Sequence, residues 1–151
     1  MIVKLPQKDI EIKYLVLDYN GTIAKDGTVK KEVFEILEKL KNLEIYVLTA
    51  DTHGSAYNNL KHTDINLHIL TSNDHTKEKG EFVENLGYCF AVGNGANDAL
   101  MLQKAQIGVC VIEEEGACVK TLLNADIVCK SIVEALELLV YPKRITATLR
   151  V

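Results

Sequence analysis

The chain has 151 residues, of which 48% are apolar and 25% charged, and its formal net charge is −4. This composition is typical of one globular domain with a sizeable core, and it excludes a disordered chain. The negative charge does not favour a nucleic acid or an anionic membrane as a partner. No apolar run approaches the roughly 20 residues that span a bilayer, and the first residues lack a signal-peptide pattern. We therefore expect a single soluble, cytoplasmic domain over residues 1–151.

Taken in chain order, short apolar runs alternate with segments of helical periodicity. The predicted strands are 12–18, 44–51, 65–71, 88–93, 107–112 and 126–129, and the predicted helices are 29–43, 54–62, 76–87, 97–105, 116–125 and 131–139. Strands separated by helices need crossover connections, so the pattern predicts an α/β fold with a three-layer, Rossmann-like parallel sheet covered by helices on both faces. Residues 1–5 and 144–151 also look extended, and we expect extra edge strands or a small hairpin there.

The four cysteines carry no recognisable metal or redox motif. None forms a CxxC pair or lies at a zinc-binding spacing from a histidine. Cys89, Cys110 and Cys129 lie inside apolar, strand-like runs, which predicts buried structural thiols in a reducing compartment.

Polar residues follow four of the predicted strands, where ligands of an open α/β sheet bind. Asp18-Tyr19-Asn20-Gly21-Thr22 follows the first strand and Thr49-Ala50-Asp51 the second. Lys77 and Lys79 begin the helix after the third strand, and Gly93-Asn94-Gly95-Ala96-Asn97-Asp98 follows the fourth. Taken singly, these residues also fit ordinary roles, because an Asp after a strand often caps a helix and Asn-Gly pairs form plain turns. Asp51 in particular is expected to be a helix cap.

In this order, the four segments resemble the motifs of the haloacid-dehalogenase-like (HAD) phosphohydrolases. The likeness is closest to the phosphorylation domain of P-type cation pumps, and it extends over residues 14–139. It implies an enzyme, a phosphatase or phosphotransferase, in which Asp18 attacks a phosphoryl group and forms an aspartyl phosphate. It also implies Mg²⁺ as the cofactor, held by Asp18, the backbone carbonyl of Asn20 and Asn94, with Asp98 binding or orienting the metal.

The resemblance also implies a set of phosphate-binding residues. Thr49, with Ala50 beside it, is similar to the phosphate-binding hydroxyl, and Lys79 to the cation that neutralises the nucleophile and the transferred oxygens. Gly21 and Thr22 would supply a tight turn and a backbone amide toward phosphate. Lys77 remains the alternative for the motif lysine.

Two departures from the family pattern limit the function that can be carried over. Most phosphatases of the family have Asp where this chain has Asn20, and an amide can neither protonate a leaving group nor activate water. We therefore expect a preference for activated phosphates, such as acyl and aryl phosphates. Asn94 replaces a second Asp, an uncharged substitution that weakens the binding of a hard cation. The alternative function is a catalytically weakened module that binds phosphate and metal and regulates a partner.

The spacing of the motifs leaves no room for additional domains between them. Only 26 residues separate Thr22 from Thr49, and 29 separate Thr49 from Lys79. Neither interval can hold a cap domain or a nucleotide-binding domain. The expected partner is a phosphorylated substrate, either a small molecule or a protein, that reaches an open site. Closure of the site by a neighbouring subunit in a homo-oligomer is the alternative.

Overall fold

The computed structural model describes all 151 residues. The strands are β1 (Ile2–Lys4), β2 (Asp9–Glu11), β3 (Tyr14–Asp18), β4 (Ala24–Lys25), β5 (Thr28–Val29), β6 (Glu44–Thr49), β7 (Asn66–Ile69), β8 (Cys89–Gly93), β9 (Ile107–Val111) and β10 (Ile127–Cys129). The helices are α1 (Lys31–Leu37), α2 (Ser55–Leu60), α3 (His75–Leu86), α4 (Ala99–Lys104), α5 (Val119–Leu123), α6 (Ile132–Val140) and α7 (Lys143–Leu149), with 3₁₀ turns at Glu38–Leu40 and Ala96–Asp98. None of these helices is both long and apolar enough to cross a membrane.

Six strands form one parallel sheet in the order β10-β9-β8-β3-β6-β7. From β3 the chain builds outward through β6 and β7 on one side, and then returns to place β8, β9 and β10 on the other. The direction of winding therefore reverses at β3, which creates the crevice where such sheets bind ligands. The predicted Rossmann-like α/β fold is confirmed.

Alternate residues of the central strand enter two separate cores, which gives the molecule its three layers. Leu15 and Leu17 of β3 lie in the larger core with Val33 of α1 and Leu136 of α6. Val16 faces the opposite side, in a smaller core that includes side chains of α3 and α4. A strand buried on both faces needs apolar residues throughout, which explains why β3, β8 and β9 show no polar alternation.

Of the two chain termini, for which edge strands or a small hairpin were predicted, only the N-terminus agrees with the prediction. Residues 2–4 do pair with residues 9–11, but as a separate antiparallel hairpin that does not extend the central sheet. The expectation of an extended C-terminus is wrong, because residues 143–149 form α7. Pro142 begins this helix with a suitable φ of −63°, and Ile145 is buried in the larger core. Tertiary packing thus outweighs the strand preference of the β-branched residues in this segment.

A small hairpin follows the first motif and was not predicted. Strands β4 and β5 pair antiparallel across Asp26 and Gly27, whose φ values are 50° and 83°. An Asp-Gly pair with positive φ at both residues is the sequence signal of a tight hairpin turn. Val29, which the periodicity assigned to the following helix, therefore lies in β5, and α1 begins at Lys31.

Candidate active site

The strand-end residues converge on one cavity at the carboxyl edge of the sheet. Asp18 is the last residue of β3, Thr49 the last of β6, and Asn94 directly follows β8. Their side chains line a cavity of about 410 Å³ together with those of Asn20 and Lys79. The crevice created by the reversal of winding at β3 is therefore lined by polar and charged groups.

A larger cavity of about 830 Å³ lies elsewhere and contains none of these residues. It is lined by side chains such as Phe34, Lys41 and His62. Its Lys41 forms an exposed ion pair with Glu38 at 2.8 Å, and none of the four motifs contributes to its lining, so the smaller cavity is the candidate site.

Lys79 is the central charged group of the site. It is only 1% exposed, and its Nζ donates to Asp18 Oδ1 at 2.7 Å and to Asp98 Oδ1 at 2.8 Å. A buried ammonium must be paired, and here two carboxylates share it. Burial alone would lower the pKa of Lys79, but the charges of Asp18 and Asp98 raise it above its usual value. The side chain is therefore cationic. Lys77, two residues earlier, points to solvent and lies 3.8 Å from Glu81.

The helix α3 holds Lys79 in place through its own first turn. Asp74 caps the helix, with its carboxylate accepting the backbone N–H of Lys77 at 3.0 Å. The carboxylate of Glu78 accepts the backbone N–H groups of Thr71 at 3.0 Å and Ser72 at 2.8 Å. These bonds fix the loop between β7 and α3, and they orient the helix so that Lys79 faces inward.

The carboxylate of Asp18 is 8% exposed and is held from two sides. Its Oδ1 accepts from Lys79, and its Oδ2 accepts from the hydroxyl of Thr22 at 3.0 Å. The chain turns sharply after Asp18, because Gly21 adopts a φ of +78°. Thr22 is brought back under the carboxylate, since its backbone N–H donates to the carbonyl of Tyr19 at 3.2 Å.

Asp98 is fully buried and engaged at both oxygens. Its Oδ1 accepts from Lys79, and its Oδ2 accepts the backbone N–H groups of Asn94 at 3.0 Å and Gly95 at 2.9 Å. Burial, followed by the nearby charge of Asp18, raises the pKa of Asp98 to about 6. Both oxygens of Asp98 are therefore occupied by protein donors. Its carboxylate orients Lys79 and holds the conformation of the loop after β8.

The side chain of Asn94 joins the first motif to the loop after β9. Its Nδ2 donates to the carbonyl of Gly116 at 3.0 Å, and its Oδ1 accepts from the hydroxyl of Thr22 at 3.4 Å. The backbone carbonyl of Asn94 also accepts the N–H of Cys118 at 2.8 Å. The amide therefore performs a structural task that a carboxylate could not, since only an amide can donate to a carbonyl.

In the second motif, Thr49 and Ala50 line the cavity, whereas Asp51 caps a helix. The hydroxyl of Thr49 lines the cavity beside Ala50, and its Oγ1 accepts the backbone N–H of Asp51 at 3.3 Å. The carboxylate of Asp51 instead accepts the N–H groups of Ala56 at 2.7 Å and Tyr57 at 3.1 Å. Asp51 therefore caps α2, as the sequence predicted, and does not enter the cavity.

Three polar side chains of the cavity were given no role in the site from the sequence. His75 begins α3, Asn97 accepts from Lys79 Nζ at 3.2 Å, and Glu115 lies on the loop after β9. The signal for Glu115 was present, because that loop follows a parallel strand and ends at the same edge of the sheet. The four motif segments end after the fourth strand, so Glu115 lies outside them.

The oxygen atoms around the cavity suit a hard divalent cation. The lining includes Asp18, Asn20, Asn94 and Glu115, and carboxylate and amide oxygens are donor types that Mg²⁺ prefers. No three acidic, histidine or cysteine side chains converge on a single point. The donor set therefore fits a cation held partly by amide, carbonyl and water oxygens.

Comparison with solved structures agrees with this fold. The crystal structure of 3-deoxy-D-manno-octulosonate 8-phosphate phosphatase from Moraxella catarrhalis, which contains magnesium, phosphate and KDO, superimposes with a TM-score of 0.70 over 90% of each chain at 16% identity. The chain therefore shares the fold of this phosphatase, which agrees with the fold that the motif resemblance implies.

Sequence comparison adds relatives from one archaeon. A soluble P-type ATPase-like phosphatase of Methanocaldococcus jannaschii is 27% identical over 148 residues, covering 89% of this chain and 54% of that protein. An uncharacterised protein of the same organism is 53% identical over 60 residues, covering 40% of this chain and 64% of its own length. The matched part of the chain thus spans 54% of the length of the first relative and 64% of the length of the second. No profile of a known protein family matches it.

Proposed function

We propose that this chain is a Mg²⁺-dependent phosphohydrolase or phosphotransferase that acts through an aspartyl phosphate on Asp18. The observation that carries the proposal is the buried Lys79, which bridges Asp18 and Asp98 at the carboxyl edge of the sheet. Burying an ammonium between two carboxylates carries a desolvation cost. A function accounts for keeping such an arrangement, and the transfer of a phosphoryl group needs a cation in this position. The similarity to a P-type ATPase-like phosphatase supports the same chemistry.

In the proposed reaction, a carboxylate oxygen of Asp18 attacks phosphorus and forms a P–O bond as the bond to the leaving group breaks. Lys79 balances the charge of the nucleophile and of the transferred oxygens, and the hydroxyl of Thr49 holds the phosphoryl group in position. A bound Mg²⁺ would supply the additional positive charge that two anions need in order to approach each other. Transfer to water or to another acceptor then restores Asp18.

The substrate preference follows from Asn20, which lines the cavity but carries no ionisable proton. Without a general acid at this position, the leaving group must depart unaided, which favours acyl and aryl phosphates over alkyl monoesters. The intervals between the motifs form only β4, β5, α1, α2 and β7. These elements support a capless, single-domain site that stays open to small or macromolecular substrates.

The proposal is tested by assaying the purified protein on acetyl phosphate and p-nitrophenyl phosphate with and without Mg²⁺. We expect Mg²⁺-dependent phosphate release that Asp18→Asn abolishes. Asp9→Asn is the matched control, because Asp9 is exposed and pairs only with Lys4, far from the cavity. Release that persists in Asp18→Asn at the rate of the control would contradict the assignment of the nucleophile.

A second candidate function is a binding module that takes up phosphate and metal without turnover. It is favoured by the amide of Asn94, which is committed to holding Gly116, and by the amide of Asn20. This function predicts Mg²⁺-dependent thermal stabilisation by beryllium fluoride with no phosphate release from any substrate. Robust turnover of acetyl phosphate would exclude it.

A further inference from the structure

The loop after β9 contains three consecutive glutamates, of which only one faces the candidate site. Glu113 and Glu114 lie 2.7 Å and 3.0 Å from the ammonium of Lys30. Glu115 has no ion-pair or hydrogen-bond partner in the protein and lines the cavity with Asp18 and Asn20. Two of the three charges thus anchor the loop, and the third is presented to the cavity.

The close approach to Gly21 shows where the carboxylate of Glu115 lies. A Cβ atom built on Gly21 would come within 2.5 Å of Glu115 Oε2 and 2.6 Å of Asn94 Nδ2. The carboxylate therefore covers the backbone next to Asn20 and beside the side chain of Asn94. It shares the cavity with Asn20 and Asn94, the two amides at positions where the family resemblance leads one to expect carboxylates.

The net charge of the site favours one additional carboxylate beside a divalent cation. Asp98 is fully buried and does not line the cavity, so Asp18 is the motif aspartate that faces a cation there. Together with Lys79, the two aspartates give the site a net charge of −1. Adding Glu115 makes it −2, which balances a divalent cation, whereas an uncompensated glutamate would repel a phosphate dianion.

The contacts of Asn94 explain why an amide at position 94 is compatible with a carboxylate at position 115. Its amide Nδ2 donates to the carbonyl of Gly116, the residue next to Glu115. An aspartate in this position would face that carbonyl without a proton to donate, and it would repel the carboxylate of Glu115. The amide therefore holds the loop that carries the glutamate.

We propose that Glu115 supplies, to the divalent cation of this site, the carboxylate that Asn94 does not provide, either directly or through a bound water. The inference rests on the proposed function, since it assigns one more residue to the same site. It goes beyond the four motifs, because the residue comes from a loop that follows the fifth strand of the sheet.

The test is a Mg²⁺ titration without phosphate, read as the shift in melting temperature of the protein. We compare wild type with Glu115→Gln, Glu115→Asp and Asp18→Asn. The matched control is Glu81→Gln, which removes the same charge from an exposed position on α3. We expect Glu115→Gln to raise the half-maximal Mg²⁺ concentration about 10-fold or more, with Glu115→Asp intermediate and Glu81→Gln close to wild type.

Three outcomes would overturn the proposal. Equal Mg²⁺ dependence of Glu115→Gln and Glu81→Gln, with Asp18→Asn weakened, would remove Glu115 from the cation site and leave the proposed function intact. In a second titration, with inorganic phosphate at fixed Mg²⁺, tighter phosphate binding by Glu115→Gln with unchanged Mg²⁺ binding would make Glu115 a simple repulsive charge. A wild-type protein that does not respond to Mg²⁺ would contradict both this proposal and the magnesium dependence of the proposed function.

Discussion

At the scale of single residues, the site is defined by which carboxylates reach the cavity. Both aspartates have protein donors on both oxygens, but Asp98 is fully buried, whereas Asp18 lines the cavity. Two aspartates joined to the same ammonium thus have different roles, one as the proposed nucleophile and the other as a support. This difference follows from burial and hydrogen bonding, and the identity of the residues alone does not reveal it.

The amide at position 20 gives a direct test of substrate preference. Asn20→Asp introduces a carboxyl group two residues after the nucleophile, where it can protonate a leaving group and activate water. General acid–base help is worth about 10²–10⁴-fold, so we expect hydrolysis of alkyl phosphate monoesters to rise about 100-fold, with a smaller gain for acetyl phosphate. Steady-state kinetics on both substrates measures this, with the exposed Asn42→Asp as control. An equal gain on both substrates would argue against the missing acid as the cause of the preference.

Glu78 provides a pH-dependent test of how the lysine helix is held. The backbone hydrogen bond from Ser72 is the main influence that lowers the pKa of Glu78 to about 2, from a usual value of 4.5. A lowered pKa means that ionised Glu78 stabilises the folded state above about pH 4.5, and that this stabilisation is lost as the pH falls toward 2. We therefore expect Glu78→Gln to lower the free energy of unfolding at pH 7 and to approach wild type in acid. Urea unfolding between pH 7 and pH 3 measures the difference.

The exposed Glu81→Gln on the same helix is the control for that experiment. Its free energy of unfolding should change with pH in the same way as that of wild type. A Glu78→Gln variant whose deficit stays constant down to pH 3 would show that the lost contribution is not the ionised carboxylate.

At the scale of secondary-structure elements, the sequence predicted the sheet well and the ends of the chain poorly. The apolar runs of β3, β8 and β9 and the periodicity of α3 are strong local signals, and Gly87 ends α3 with a φ of +66° as expected. Helix α7 has no such signal, because contacts with the N-terminal hairpin determine its conformation. The hydroxyl of Thr146 donates to the carbonyl of Lys4 at 2.8 Å, which no local pattern could reveal.

In the site, too, local sequence patterns could not reveal what depends on tertiary contacts. Asp18, Thr49 and Lys79 could be placed because each follows a strand within an ordered set of motifs. The three glutamates after β9 are equivalent in the sequence, and only the fold shows that Lys30 pairs with two of them and leaves Glu115 at the cavity.

Helix α7 makes a testable contribution to stability. Ile145 is fully buried in the larger core, and replacing a buried isoleucine with alanine removes its packing and leaves a cavity. We expect Ile145→Ala to lower the free energy of unfolding by about 2–5 kcal/mol, as measured by urea denaturation. Thr148→Ala changes an exposed residue of the same helix and should have little effect. Equal stability of the two variants would mean that α7 is not docked on the hairpin.

At the scale of the whole molecule, the order of the strands assembles the site. Asp18 and Lys79 are 61 positions apart in the chain, and Lys79 and Asp98 are 19 apart. They meet because β3 lies at the centre of the sheet between β6 and β8, and because α3 packs beside the carboxyl ends of these strands. The motifs are brought together within a single sheet, with only short elements between them.

The most direct test of the central claim is the intact mass of the protein after brief incubation with acetyl phosphate and Mg²⁺, followed by an acid quench. Because Asn20 cannot activate water for rapid hydrolysis, an aspartyl phosphate should accumulate. The account predicts that the wild type gains the mass of one phosphoryl group, and that Asp18→Asn, or the wild type without Mg²⁺, gains none. Phosphoryl transfer to Asp18→Asn, or phosphate release by a wild-type protein that never carries the group, would contradict the account.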